Sequence, residues 1–424
     1  MVNNSPLEEL AKLDFPFLKT CHYLDSASVC PPPRQTVEAM TAFYYEHPLN
    51  YGIGVFQLAQ EVGSKVDRAR RTIAEFIGAS PPEIVFTKNT TEAINTVAQG
   101  LNWHAGDAVV LTTLEHQSNL IPWLRAAKRH NLEVLYLTPR ADGRLHPEDL
   151  IRLMKNHPVR LVAITHVSNV LGTIQDVACL VQVARDRGSL TLVDAAQSAG
   201  RVPVDVSAIA CDFAAFCGRK SLMGPQGTGF LYAREDRLRE LTPLTIGSRA
   251  ADLDGHGGYR EKDPPHRFEA GILNTAGVIG LEESVHYLSR LGMGAVFYRT
   301  RDLSQKLLKV LTDLPDVKIL SPVEVELQAG IVSWSVADIS PPEIAHWLDK
   351  EMNVAVATGH HGSWLITRPF SPDGVVRASV HWFTSEEDIQ ALEEGLRRLL
   401  SSRQTSVCIT PERRSRSAHL DTDT

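Results

Sequence analysis

The chain has 424 residues, with 43 Lys and Arg against 50 Asp and Glu, a net charge of −7, 43% hydrophobic and 22% charged residues. That balance is typical of a globular protein with a large core and excludes a disordered polymer, a coiled coil or a collagen-like repeat. It argues against nucleic acid as a partner, because no basic excess exists to displace counterions from a phosphate backbone. The opening MVNNSPLEELAKLDF is acidic and lacks an apolar block, and no apolar run approaches the ~18 residues of a membrane span, so neither a signal peptide nor a membrane partner is expected. The six cysteines have no CxxC spacing, which fits free thiols in a reducing cytoplasm better than zinc or a disulfide framework.

Seven β-like runs follow along the chain: EIVFT (83–87), AVVLTT (108–113), EVLYLTP (133–139), VRLVAITH (159–166), LTLVDAAQ (190–197), FAAFCG (213–218) and GTGFLYAR (227–234). Several are apolar almost throughout, as strands buried on both faces should be. Helical patterns lie between most of them. Val62, Val66, Ala69, Ile73 and Phe76 form one apolar stripe, and VACLVQVARDRG is a second amphipathic helix, stopped at Gly188. The alternation predicts an α/β fold with a seven-stranded, mostly parallel sheet. The last two runs are close together, so one of them should run antiparallel. Residues 242–268 are polar and rich in Gly and Pro and read as a long functional loop. From about residue 280, long helices around short strands such as GIVSWSV predict a smaller α+β C-terminal domain. The last stretch lacks apolar periodicity and reads as a disordered tail over 404–424.

In open α/β sheets ligands bind at the carboxyl ends of the strands. There LTLV ends in Asp194, followed by Gln197, and FAAFCG runs into Arg219, Lys220 and the turn GPQGTG. A carboxylate and a lysine at neighbouring strand ends suit pyridoxal phosphate: the lysine condenses with its aldehyde and the carboxylate keeps its pyridine nitrogen protonated. Alone, Asp194 is more often a cap and Lys220 a surface charge. Their company changes that reading. Thr90 and Thr91 open a helix, an anion site suited to phosphate, while His116 and Asn169 follow the second and fourth runs. Four strand ends therefore aim polar groups at one crevice. His360 and His361 invite a metal reading, but adjacent residues on an extended segment point opposite ways, so no metal is expected.

The segments YLDSAS (23–28), FTKNTTEAIN (86–95), LEHQSNLIPW (114–123), THVSNVLGT (165–173), LVDAAQS (193–198), GRKSLMGPQGTGFLY (218–232), RFEAGILNTAGVIGL (267–281) and TGHHGS (358–363) resemble, in family order, the pyridoxal-phosphate-dependent class V aminotransferase superfamily, most closely its cysteine desulfurase and selenocysteine lyase branch. The resemblance implies fold type I, with an N-terminal segment 1–30 packing on the small domain, a large cofactor domain 31–285 and a small domain 286–403. It implies that Lys220 carries the cofactor, Asp194 faces the ring nitrogen, Gln197 reaches the ring hydroxyl, His116 stacks on the ring, and Thr90 and Thr91 hold the phosphate. Asn169 and Arg377, with His361, would bind the substrate, with Arg368 as a second cation. It also implies a homodimer whose active site is shared between subunits.

The departures bear on function. The desulfurases carry a nucleophilic cysteine after GHH, where this chain has Gly362; an arginine ahead of TGHH is Ala357. Cys217 stands where a phosphate-binding serine is usual, Arg219 replaces a histidine, and Ile272 replaces a threonine that would reach the partner's phosphate, a contact left to Arg219, Thr275 or Ser248. A glycine supplies no thiolate to accept sulfur as a persulfide. The expected enzyme therefore acts on an amino acid through a Cα carbanion, foremost as a carbon–sulfur lyase. Epimerase, decarboxylase, carbon–carbon bond-forming and aminotransferase chemistry are the alternatives within the class. A non-catalytic binding protein is the alternative outside it, opposed by the retained Lys220, Asp194, Gln197, His116 and Arg377.

Overall fold

The computed structural model describes residues 5–51 and 54–407. Its centre is a seven-stranded sheet in the order Ile84–Thr87, Gly229–Ala233, Phe213–Cys217, Leu190–Asp194, Val159–Thr165, Ala108–Thr112, Glu133–Leu137. All seven predicted runs are strands of this one sheet. Gly229–Ala233 is antiparallel to both neighbours, and the four pairings beyond Phe213–Cys217 are parallel. The apolar runs are explained by two-sided burial: Val109 and Leu111 face one core and Ala108 and Val110 the other. The helix Gln57–Phe76 buries Val62, Val66, Ala69 and Ile73 against the second of these cores.

A second, all-antiparallel sheet joins Val317–Ile319, Ile331–Val336, Val375–Ser379 and Ala357–Gly359 in that order. Its own core includes Trp334, Leu348, Val376 and Leu392. His22–Tyr23 pairs in parallel with Val354–Ala355, and Asp25 bridges to Ser379, so the N-terminal segment runs along this second unit. Arg201 ties the parts together. Fully buried, it donates to Ser26 Oγ and Ser221 Oγ at 3.1 Å each, to the Ala329 carbonyl at 2.9 Å and to the Val380 carbonyl. Nothing in the local sequence marks this arginine, because its partners come from four distant segments.

Two expectations need correction. Residues 242–268 are not loop throughout: Ala251–Leu253 and Tyr259–Glu261 form a hairpin. Asp254 turns it by accepting from the His256 and Gly258 amides at 2.8 and 2.9 Å. Strands of three residues are too short to show a period. The last helix runs Glu386–Val407, four residues into the expected tail; residues 408–424, with the basic ERRSRS, lie outside the described residues, as do residues 1–4. Among the described residues no helix is long and apolar enough to cross a membrane, and the five described cysteines are free thiols.

Candidate active site

A cavity of about 410 Å³ opens at the carboxyl ends of the large sheet. Each wall comes from a different chain segment. Thr90 and Thr91 begin the helix Thr90–Gly100, whose N-cap Asn89 accepts from the Glu92 amide at 2.9 Å. His116 follows Ala108–Thr112, Asn169 follows Val159–Thr165, and Asp194 ends Leu190–Asp194 with Gln197 beyond it. Cys217 ends Phe213–Cys217, with Arg219 and Lys220 next. His361 and Arg377 reach in from the second unit. All of these line the same cavity.

Thr275, offered for a partner subunit's phosphate, does not line its own chain's cavity. It starts the helix Thr275–Leu291, is buried, and bonds its hydroxyl to the Leu273 carbonyl at 3.3 Å, away from its own chain's cavity. Arg368 is exposed and likewise absent from the lining. Ser248 and Ile272 are both exposed. Ala27 and Ser28, inside the YLDSAS segment, do line the cavity but were not singled out, since small residues carry no chemical signature.

Burial dominates the electrostatics. It lowers the Lys220 ammonium below its usual range, aided by Arg219 and Arg377 and opposed by Cys217 and Asp194. It raises the Asp194 carboxyl, opposed by Lys220 and the Ala196 amide, which donates to Asp194 Oδ1 at 2.9 Å. Behind Asp194 lies an unforeseen carboxyl, Glu115, pushed up to about 8 by burial and by Asp194. It accepts from Thr112 Oγ1, Asn119 Nδ2 and the Thr165 amide, each at 2.7 Å. His116 is lowered to about 4, by burial first and then by Lys220, Arg377 and Arg219, so its ring is neutral near pH 7.

The cavity fits a polar, anionic guest. Thr90 Oγ1, Gln197 Oε1, His361 Nε2 and Arg377 Nε are buried there without hydrogen-bond partners, an arrangement native proteins keep where a ligand completes it. Arg219 and Arg377 add positive charge.

The family description "Aminotransferase class-V" matches residues 22–392. The chain belongs to that family. This class-V aminotransferase homologue is a pyridoxal-phosphate-dependent enzyme of the desulfurase-like branch. It is 40% identical to a probable cysteine desulfurase of Methanothermobacter thermautotrophicus over 92% of this chain and 97% of the relative. The apo structure of a cysteine desulfurase from Thermococcus onnurineus superposes with TM-score 0.89 at 36% identity, covering 93% of this chain and 98% of that one. A cystine C–S lyase in complex with its reaction product, cysteine persulfide, superposes with TM-score 0.80 at 27% identity, covering 90% of this chain and 98% of that one. Pyridoxal phosphate is the cofactor of this class-V aminotransferase homologue, and the orphaned polar atoms and the Asp194 and Lys220 of neighbouring strand ends suit it.

Buried imidazoles should make the fold acid-sensitive. His116 and His166 are held down to about 4 and His361 to about 3, all by burial first, and His381 is lowered too. With folded values below the unfolded ~6.5, the unfolded state binds more protons in between, so their stability is present above 6.5 and lost as pH falls toward 4. Glu115 and Asp194 are shifted the other way and oppose this, but with His266, lowered as well, five imidazoles outnumber two carboxyls. Urea midpoints at fixed cofactor concentration should drop from pH 7 to pH 4.5. A flat or rising midpoint contradicts the buried neutral histidines.

Proposed function

We propose that this enzyme is a carbon–sulfur lyase that performs β-elimination on a sulfur-bearing amino acid such as cystine or an S-substituted cysteine, without forming a persulfide on the protein. The observation that carries the reading is the environment of Gly362. Its φ is +73°, which favours glycine, and a Cβ there would lie 2.5 Å from His116 Nε2. No thiol fits beside the imidazole without moving it. Cys217 is the remaining cysteine on the cavity wall, buried at the end of its strand where a phosphate contact is expected. The likeness to a cystine C–S lyase supports the same choice.

Lys220 would hold the cofactor, Asp194 would face its ring nitrogen, Gln197 its ring hydroxyl, and Thr90, Thr91, Cys217 and Arg219 its phosphate. When bound, pyridoxal phosphate withdraws electrons from the substrate α-carbon and makes its proton removable. Lys220 Nζ is buried and biased toward the neutral amine, so it can take that proton and return it. His116, neutral, would lie over the ring face without adding a charge beside Lys220. Arg377 would hold the substrate carboxylate; Ala357, directly paired with it across the sheet, adds no second cation. The working unit would be a homodimer, with exposed Ser248 better placed than Thr275 to reach a partner's phosphate site.

Incubated with cystine and S-alkyl cysteines, the enzyme should release pyruvate, ammonia and a sulfur fragment, and intact-protein mass spectrometry after L-cysteine should find no stoichiometric persulfide. A full persulfide restores the desulfurase reading. Carbon dioxide release or Cα-proton exchange without pyruvate moves the chemistry to decarboxylation or epimerisation. Gly362→Cys should gain little persulfide chemistry, because the new side chain must first displace His116.

A further inference from the structure

We propose that residues 359–367 form a strap latched shut over the cavity, that Asn169 is its catch, and that Ser363 is the positioning residue that holds it closed. This goes beyond the reaction proposed above and does not depend on which bond is broken.

Both atoms of the Asn169 amide hold the strap. Its Nδ2 donates to the His361 carbonyl and its Oδ1 accepts from Ser363 Oγ, both at 2.9 Å. A third bond runs from the Gln117 amide to the Gly362 carbonyl at 2.7 Å. Between these contacts Gly362 lies against His116, so close that a Cβ would collide with the ring. Ser363 is completely buried although it belongs to a short irregular stretch between strand and helix. The strap is braced from within: His360 Nδ1 and Thr367 Oγ1 are 2.9 Å apart, Thr367 Oγ1 donates to the Ser363 carbonyl at 2.9 Å, and the His360 ring packs against Trp364 at 3.9 Å, tilted by 30°.

Closure has a chemical consequence at the guest site. Arg377 Nη1 donates to the Asn169 carbonyl and Nη2 to Asp25 and Ser28, leaving only Nε without a partner. A carboxylate arriving at Arg377 thus meets the free Nε, and only the second N–H of Asn169 Nδ2 lies outside the latch. His361, carried on the strap, keeps its unpartnered Nε2 in the cavity only while the catch holds its carbonyl. The strap therefore controls both access to the cofactor and the placement of His361.

The test uses PLP-loaded protein and two small, shape-preserving changes, Ser363→Ala at the catch and Thr367→Val in the brace. Each removes a hydroxyl and should raise amide exchange over residues 360–364 by about fivefold, the scale of one neutral hydrogen bond, while the strand Leu190–Asp194 stays protected. Cyanoborohydride should bleach the bound cofactor faster by a similar factor, since the reagent must pass the strap. Faster exchange with unchanged bleaching overturns the strap as a barrier. Unchanged exchange at 360–364, or a rise that extends equally to Leu190–Asp194, overturns the latch.

Discussion

Lys220→Ala should yield protein that stays colourless after dialysis against pyridoxal phosphate and turns over substrate at least roughly 10⁴-fold more slowly, because covalent anchoring and proton transfer are lost together. Lys220 is buried at a strand end, and its ammonium is destabilised by burial and by Arg219 and Arg377. A neutral amine is the form that condenses with an aldehyde. Asp194 opposes it from the neighbouring strand end, buried in its turn. The rival is Lys88, which also borders the cavity, but its side chain is 78% exposed and pairs with Glu92 at 3.3 Å. Borohydride reduction of wild-type enzyme followed by peptide mapping should place the pyridoxyl group on Lys220. A label on Lys88, or a coloured and active Lys220→Ala protein, would sink the assignment.

Arg377→Ala should weaken binding of an α-amino acid by well over tenfold, since losing one partner of a buried charge pair costs roughly 2–5 kcal/mol. The guanidinium is 3% exposed and meets Asp25 at 2.9 Å and Ser28 Oγ at 2.7 Å. Ala357 faces it across the strand pair, Arg368 is at the surface, and Arg219 is assigned to the cofactor phosphate. Removing Arg377 also strands Asp25, so some loss of thermal stability should accompany the change. Asp25→Asn in the same background separates the two effects, because it relieves the stranded carboxylate without restoring a cation. Stability should recover while affinity does not. Spectral titration with S-methyl-L-cysteine measures the affinity; an unchanged value means that the substrate carboxylate is held elsewhere.

Much of this protein was legible in its sequence because the signals are local. Two-sided burial writes near-continuous apolar runs, so AVVLT and LTLVD declared a sheet covered on both faces. Strand-end position alone then grouped Thr90, His116, Asn169, Asp194 and Lys220, since a parallel sheet sends all its carboxyl ends to one side. What stayed hidden depends on segments far apart in the chain. Arg201 and Glu115 are defined by partners contributed from several elements, and no spacing in the sequence encodes those. The sharpest case is Gly362: the sequence states that a thiol is missing, whereas only the packed structure sets that position against His116, beside a serine fastened to Asn169. Local pattern determines which elements form. Steric contact between elements brought together by folding decides what a side chain is free to do.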